Sequence, residues 1–287
     1  MIFLKKAKTY ADAIKLEHTL FALPFALSAA ALAAGRGAEI SAGVLFWIVV
    51  AFTAARSAAM GFNRIADADI DALNPRTAAR PTATGKLPLK DAKIFTAVSA
   101  AVFVGAAFMI NNLCGVLSLP ALGVLFGYSL AKRFTCLTHY ILGCALSLAP
   151  IGAWIAATGG FDPKILLLGA CLFFGIAGFD LIYALQDMDF DRAHKLHSIP
   201  SRFGRKATLA LAGCSFAASA GALFGAGVAF GLNVWFFAAA AAVSVLYMAG
   251  LATISVAGMA KVNLVFFYVN VSVSFLILAG SLANAGF

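Results

Sequence analysis

An all-α polytopic membrane protein that crosses the bilayer nine times is the fold class this sequence predicts, on four observations. The 287-residue chain is 62% hydrophobic and only 11% charged, with mean hydropathy +0.94; a soluble domain carries roughly a quarter charged residues. Apolar runs of about 17–25 residues, enough to cross a bilayer as helix, recur along its length. The short alternating strands of a membrane barrel do not occur. Finally, Lys and Arg are distributed as a multi-pass protein requires. The length and unbroken succession of runs predict one domain over residues 1–287.

The N-terminal stretch "MIFLKKAKTYADAIKLEHTLFALPFALSAA" has a basic start followed by an apolar run. Its charged, amphipathic part from Lys5 to His18 is long for the basic segment of a cleavable signal. It reads instead as an interfacial helix leading into the first span. Nine spans follow, at 19–35, 41–62, 92–110, 114–131, 139–158, 164–184, 207–228, 233–251 and 262–284. Short links such as "NNLCG" and "TGGFDPK" join some of them, while Asn63–Asp91 and Leu185–Lys206 are long and charged. With the N-terminus inside, 19 of the 21 Lys and Arg fall at cytoplasmic ends or loops, and only Arg36 and Lys164 fall outside. The net charge of +9 is then a basic face beside anionic lipid, and no nucleic acid is needed to explain it. The GxxxG pairs Gly123–Gly127, Gly221–Gly225 and Gly227–Gly231 predict close helix contacts. The five cysteines are scattered without CxxC and read as small core residues.

Against this background the acids stand out. Of 12 Asp and Glu, seven sit in two places: Asp67, Asp69 and Asp71 after the second span, and Asp180, Asp187, Asp189 and Asp191 at the end of the sixth. The charge argument puts both places on the cytoplasmic side of one bundle. Asn63, Asp67 and Asp71 are four apart and share one face if helical. Asp180, Tyr183, Asp187 and Asp191, spaced three, four and four, do the same, while Asp69 and Asp189 point off those faces. Like charges at i,i+4 destabilise a helix. A divalent cation with a preference for hard oxygen ligands, Mg2+, supplies the compensation. Mg2+ is held by a few carboxylates plus substrate phosphates, and two facing Asp clusters leave room for a phosphate between them. Arg64, Arg76, Arg80, Lys132, Arg133, Lys195 and Arg202 lie on the same predicted face and suit a diphosphate. His194 and His197 have no third ligand near them in sequence and read as a solvated loop.

"NRIADADID" resembles the N-x-x-x-D-x-x-x-D motif of the UbiA superfamily of intramembrane prenyltransferases, and "DLIYALQDMDFD" its second motif, D-x-x-Y-A-x-x-D-x-x-x-D. "YSLAKRFT" and "LEHTLFALPFALSAA" resemble the Y-x-x-x-K-R-x-T segment and the first span of the 4-hydroxybenzoate branch. The similarity runs from about Leu16 to the last span. It implies nine transmembrane helices in a ring around a central cavity open to lipid. It also implies two Mg2+ ions that bind a polyprenyl diphosphate through Asn63, Asp67, Asp71, Asp187 and Asp191. By motif, Asp180 and Tyr183 are substrate-binding candidates, and Lys132 and Arg133 fall at the family's phosphate-reading basic pair. Arg56, two helical turns before Asn63, is a candidate for the acceptor's carboxylate or the diphosphate. His139 departs from the pattern, standing where many benzoate-specific members carry Gln.

The reaction so implied is transfer of a polyprenyl group to an aromatic acid, 4-hydroxybenzoate, in quinone biosynthesis. It proceeds by Mg-assisted ionisation and electrophilic aromatic substitution, with Asp67, Asp71, Asp187 and Asp191 carrying the catalysis. An Asp of the second motif is a candidate to remove the ring proton. Residues "SLAPIGAWIAATGG" and His139 lean toward the alternative acceptor, a dihydroxynaphthoate for menaquinone. Outside this class stands a cation-coupled transporter, which places ionisable groups near the midplane of broken helices; here the acids cluster at one end. The expected site is the inner (cytoplasmic) membrane, multi-pass, with the active site toward the cytoplasm.

Overall fold

The computed structural model describes residues 2–285, with the side chains of residues 2–7, 16, 257 and 285 outside the description. The described residues form helices joined by turns and short loops, with no strand. Nine helical segments among them are long and apolar enough to cross a membrane. In hydrocarbon every backbone N–H and C=O must find a partner inside its own segment, and the α-helix is the single-segment solution. Most span ends lie within a few residues of those read from the sequence. Two do not. The sixth segment continues through a distorted turn to Ala193, and the seventh begins at Ile199. Ser198 and Ser201 form a reciprocal capping box there, and Gly204, at φ +78°, bends the helix one turn later. The charged stretch read as a link is therefore mostly helix.

The chain divides into two compact units. The first comprises the segment ending at Thr19 together with Leu45–Leu130. It holds α1 (Ile2–Ile14), most of α3 (Ala42–Ala66), α4 (Ala68–Leu73), α5 (Leu89–Ile110) and α6 (Asn112–Leu130). Helix α5 packs along α6. The ring of Tyr10 on α1 meets Phe95 on α5 at 5.0 Å, and Phe62 on α3 stacks on Phe126 of α6 at 4.7 Å. Ala13, Leu87 and Ala92 form a small core with Tyr10 and Ile65 against it.

The second unit comprises Leu20–Val44 and the chain from Ala131 onward. It holds α2 (Leu23–Ala34), α7 (Thr138–Thr158), α8 (Ile165–Ala184), α9 (Met188–Ala193), α10 (Ile199–Phe230), α11 (Val234–Ala257), α12 (Val262–Leu264) and α13 (Asn270–Ala285). Helix α8 lies between α7 and α10, and α2 packs on α7 and α13. Apolar on every side, α8 is the enclosed helix of this unit: Ile165, Leu168, Leu172, Phe179, Leu181 and Ile182 are all fully buried. Hydroxyls inside the spans return to their own helix, as Ser28 does to the Pro24 carbonyl and Ser281 to that of Ile277. One wide π-turn, Val265–Val269, precedes α13.

The GxxxG expectation fails at most of its positions. A Cβ at Gly123, Gly127, Gly221 or Gly231 would meet nothing within 4 Å, and only Gly225 and Gly227 face neighbouring side chains. Close approach occurs instead at glycines outside the motif. Gly143 on α7 lies against the backbone carbonyl of Phe173 on α8, and a Cβ at Gly178 on α8 would come within 2.7 Å of the Phe216 ring of α10. The spacing of two glycines does not say what lies opposite them. The cysteine reading also holds only for Cys171. Cys144 and Cys214 are exposed, on apolar helix faces, and all five thiols are free.

Gly143→Ala drives a methyl into backbone that cannot swing away, so it should destabilise the protein by roughly 1–3 kcal/mol. Gly123→Ala, with open space around its Cβ, should be neutral or stabilise by about 0.5–1 kcal/mol. Thermal unfolding of the two variants in detergent separates the outcomes.

Candidate active site

Both acidic motifs sit where a helix stops and restarts. Helix α3 ends at Ala66, Asp67 adopts φ −102°, ψ 8°, and α4 begins at Ala68. Helix α8 ends at Ala184, one 3₁₀ turn follows, Asp187 adopts φ −102°, ψ 4°, and α9 begins at Met188. The unbroken helix read from the i,i+4 spacing is thus corrected at the same residue of each motif. These dihedrals lie in the sparsely allowed bridge region where active-site residues often sit. In the first motif the i,i+4 backbone bonds persist across the break, from Asp67 N to Asn63 O at 3.0 Å and from Asp71 N to Asp67 O at 2.7 Å. The face-sharing argument therefore survives. Asp71, Asp187 and Asp191 are buried, whereas Asp69 and Asp189 are exposed.

In the first unit, three cationic or amide groups hold the motif. Asn63 Nδ2 donates to Asp67 Oδ2 at 2.9 Å. Arg80 Nη1 donates to both carboxylate oxygens of Asp71, at 2.7 and 2.8 Å. Arg64, itself buried, lies 3.7 Å from Asp71 Oδ2, donates from Nη1 to Asn63 Oδ1 at 3.1 Å and from Nε to the Ala13 carbonyl at 2.8 Å. Arg64 and Arg80, read from the sequence as diphosphate partners, are thus first of all the counter-charges of Asp71. The turn after α4 brings Arg80 back, because Thr77 donates to the Asp71 carbonyl at 3.1 Å and Ala78 N bonds to Asn74 O at 2.8 Å. Arg56, two turns upstream on α3, donates from Nη2 to the Lys15 carbonyl at 3.1 Å. Its Nε is buried without a hydrogen-bond partner.

In the second unit, Asp191 is 1% exposed. Its Oδ1 lies 3.9 Å from Lys132 Nζ, and its Oδ2 is buried without a partner. Lys132 is brought there by its own backbone, since its carbonyl accepts from His197 N at 2.9 Å. Its neighbour Arg133 is exposed. The Tyr183 ring packs on Phe266 of the π-turn at 4.5 Å. Asp180 accepts from, or shares a proton with, His139 Nδ1 at 2.7 Å. The sequence flagged His139 as a departure from a pattern and as a lean toward the naphthoate acceptor; nothing in it signalled this pairing across 41 positions. His194 lies exposed against Phe190, as the loop reading expects.

The donors offered here are carboxylate and amide oxygens, the chemistry of a hard divalent cation. The unpartnered Oδ2 of Asp191 is the feature such an ion would complete. Among the described residues, no three His, Cys, Asp or Glu side chains converge on one point. A bound cation would therefore take further oxygens from a phosphate ligand.

The Arg80–Asp71 pair makes a checkable claim. Arg80→Ala leaves a buried carboxylate with only the longer Arg64 contact, and should cost about 1.5–3 kcal/mol, the worth of hydrogen bonds to a charged group. In an Asp71→Asn background the same change should cost at least about 1 kcal/mol less. Thermal unfolding of the four-member cycle measures the difference.

A model of the UbiA prenyltransferase family matches residues 22–271. A 4-hydroxybenzoate octaprenyltransferase of Neisseria meningitidis is 31% identical over 150 residues, covering 52% of this chain and 51% of that relative, so the match spans about half the relative's length. The solved structure of a UbiA homolog from Aeropyrum pernix K1 superposes with a TM-score of 0.84 at 33% identity, over 92% of this chain and 96% of that one. A UbiA homolog from Archaeoglobus fulgidus, solved with GPP and Mg2+, superposes with a TM-score of 0.72 over 97% and 100%. At 18% identity this last likeness speaks for the fold alone. The two helix-break Asp motifs and nine apolar helices thus have their place: the chain belongs to the UbiA prenyltransferase family.

Proposed function

We propose that the protein transfers a polyprenyl group from its diphosphate to an aromatic acid, with 4-hydroxybenzoate as the acceptor. The observation that carries the reading is the matched pair of helix breaks. Asp67 and Asp187 have the same dihedrals, and each is followed four residues later by a buried Asp facing a cation. The name of a relative points the same way, since the matched Neisseria protein is a 4-hydroxybenzoate octaprenyltransferase.

In this reading Asn63, Asp67, Asp71, Asp187 and Asp191 are the oxygen ligands of Mg2+. What Mg2+ supplies when bound is neutralisation of the charge that grows on the departing diphosphate. Lys132 and Arg133 donate to phosphate oxygens. Tyr183 and Asp180, on the same face of α8, meet substrate. Arg56 takes the acceptor's carboxylate: its unpartnered Nε is a buried donor that an anion satisfies, and leaving a guanidinium half-paired in an apolar span is costly. The apolar spans keep water from the allylic cation. The prenyl tail explains the membrane setting, since each buried CH₂ contributes ~0.8 kcal/mol. The asymmetry of Lys and Arg supports an inner-membrane protein with its N-terminus and site toward the cytoplasm.

The test is an assay in membranes with Mg2+, offering 4-hydroxybenzoate, a dihydroxynaphthoate or homogentisate beside labelled prenyl diphosphates. Label should enter 4-hydroxybenzoate. Entry into the naphthoate alone reassigns the acceptor, and entry into none removes the reading.

Asp67→Ala and Asp187→Ala should each lower transfer by ~100-fold or more while the protein still folds. Asp69→Asn and Asp189→Asn, on exposed side chains, should stay within about 5-fold of wild type, a loss of under ~1 kcal/mol. Arg56→Gln should raise KM for the aromatic acid by roughly 10-fold or more, equal to about 1.4 kcal/mol, and leave that for the diphosphate nearly unchanged. Initial rates with each substrate varied in turn distinguish these; a change confined to the diphosphate would move Arg56 to the phosphate site.

A further inference from the structure

The carboxylates of the second unit are not held alike. Asp191 faces a lysine, and Asp189, 91% exposed, lies 3.9 Å from Arg192. Asp180 is held by an imidazole, with His139 Nδ1 2.7 Å from its Oδ2. Burial of the two partners is opposite. The His139 side chain is 0% exposed and the Asp180 side chain 25% exposed, so the histidine stands behind the carboxylate. Among the described residues no hydrogen bond reaches Asp180 Oδ1.

His139 Nε2 is also buried, without a hydrogen-bond partner. A ring nitrogen in that state is destabilising, and a buried polar atom left unsatisfied in a folded protein calls for an explanation. The ring makes no other hydrogen bond that would justify its place. What it gains is a single charge-assisted bond to Asp180, the kind that fixes a carboxylate's rotamer.

We propose that Asp180 is the proton acceptor of the prenyl transfer and that His139 is the residue that positions it. This rests on the reading of the acceptor as a phenolic acid. Nδ1–H of His139 fixes Oδ2 and leaves Oδ1 without a hydrogen-bond partner among the described residues. As the prenyl C–O bond breaks, its electron pair leaves with the diphosphate. A π pair of the ring carbon ortho to the hydroxyl forms the new C–C bond while Oδ1 takes the hydroxyl proton, giving a neutral dienone. The ring C–H proton then leaves to the diphosphate, its electron pair restores the aromatic ring, and Asp180 returns its proton to the ring oxygen. A Lys or Arg partner would bind the carboxylate in all states; one imidazole hydrogen bond holds its direction and leaves an oxygen open to a proton.

Two replacements separate the bond from the ring's bulk. The Nδ2 of Asn occupies about the place of Nδ1 and keeps the bond to Oδ2, whereas Phe fills the ring's place without a donor. The experiment measures geranyl transfer to 4-hydroxybenzoate and to 3-fluoro-4-hydroxybenzoate, whose hydroxyl ionises more readily, by wild type, His139→Asn, His139→Phe, His139→Ala and Asp180→Asn, each checked for its unfolding midpoint. His139→Phe and His139→Ala should lose about 100-fold in kcat on 4-hydroxybenzoate, within the range for a positioned base, with KM for geranyl diphosphate unchanged. His139→Asn should recover to within about 5-fold of wild type, and the losses should shrink about 5-fold or more on the fluorinated acceptor, as should that of Asp180→Asn. Equal losses in Asn, Phe and Ala, or losses identical for both acceptors, would make His139 structural and overturn the proposal while the activity stands. Absence of transfer to any phenol by wild type overturns the activity reading, and this assignment with it.

Discussion

A carboxylate at the end of an apolar helix must be given a partner, and the local structure of this protein is organised by how that is done. Water supplies the partner on an ordinary surface; beside a bilayer it does so only in part, and an unpaired charge costs several kcal/mol. Asp71 is answered by the fork of Arg80 and by Arg64, Asp67 by the amide of Asn63, Asp191 by Lys132 and Asp180 by His139. Each partner must then be delivered. The turns after α4 exist to return Arg80, and the backbone bond from His197 to Lys132 draws the segment ahead of α7 to the end of α9.

The helix breaks follow from the same constraint. A continuous helix would stack like charges one turn apart, which is unfavourable. Restarting at Asp67 and at Asp187 keeps each carboxylate on its face but makes it the cap of a new short helix, where a negative charge meets unsatisfied N–H groups and the positive end of the dipole. Neither Asp caps its helix through a side-chain hydrogen bond, so the carboxylates are placed near those N–H groups without being consumed by them. Two units of unrelated surroundings arrive at the same dihedrals. This bridge-region geometry recurs at the Asp of each motif that the proposed chemistry needs.

What could be read from the sequence was what depends on period and composition. The nine spans follow from apolar run length, and the burial of Asp71 beside the exposure of Asp69 follows from helical spacing, which survives the break because the i,i+4 bonds from Asp67 to Asn63 and from Asp71 to Asp67 do. Pairings across long separations could not be read. Arg80, nine residues past Asp71, was one of seven basic residues with no mark of its own, and His139 and Asp180 are joined only by the packing of α7 on α8. Capping was legible in principle: Ser198 with Ser201 was a start signal that the charge of the surrounding stretch obscured. The GxxxG pairs failed for a different reason. Small residues permit a close approach but do not bring a neighbour, and it was Gly143 and Gly178, without a motif, that α8 found.

That α8 is both the most enclosed helix of its unit and the bearer of Asp180 and Tyr183 is not incidental. A long side chain on a lipid-facing helix reorients freely; one on a helix gripped by α7 and α10 is held to within the tolerance that reacting groups need. The grip requires glycine at the crossings, since Gly143, Gly175 and Gly178 face backbone, hydroxyl and ring atoms, respectively, that a methyl would crowd. It also requires the small polar network around Ser219, whose hydroxyl donates to the Cys171 carbonyl at 2.7 Å and lies 3.0 Å from the Tyr247 hydroxyl. The contacts at Cys171 and Phe173 lie about two turns along α8 from Asp180 and the one at Gly178 two residues from it, and none of them touches a candidate ligand. They act on the site only by fixing the axis on which its side chains ride, which is why packing glycines at residue 143 or 178 belong to the chemistry as much as the carboxylates do.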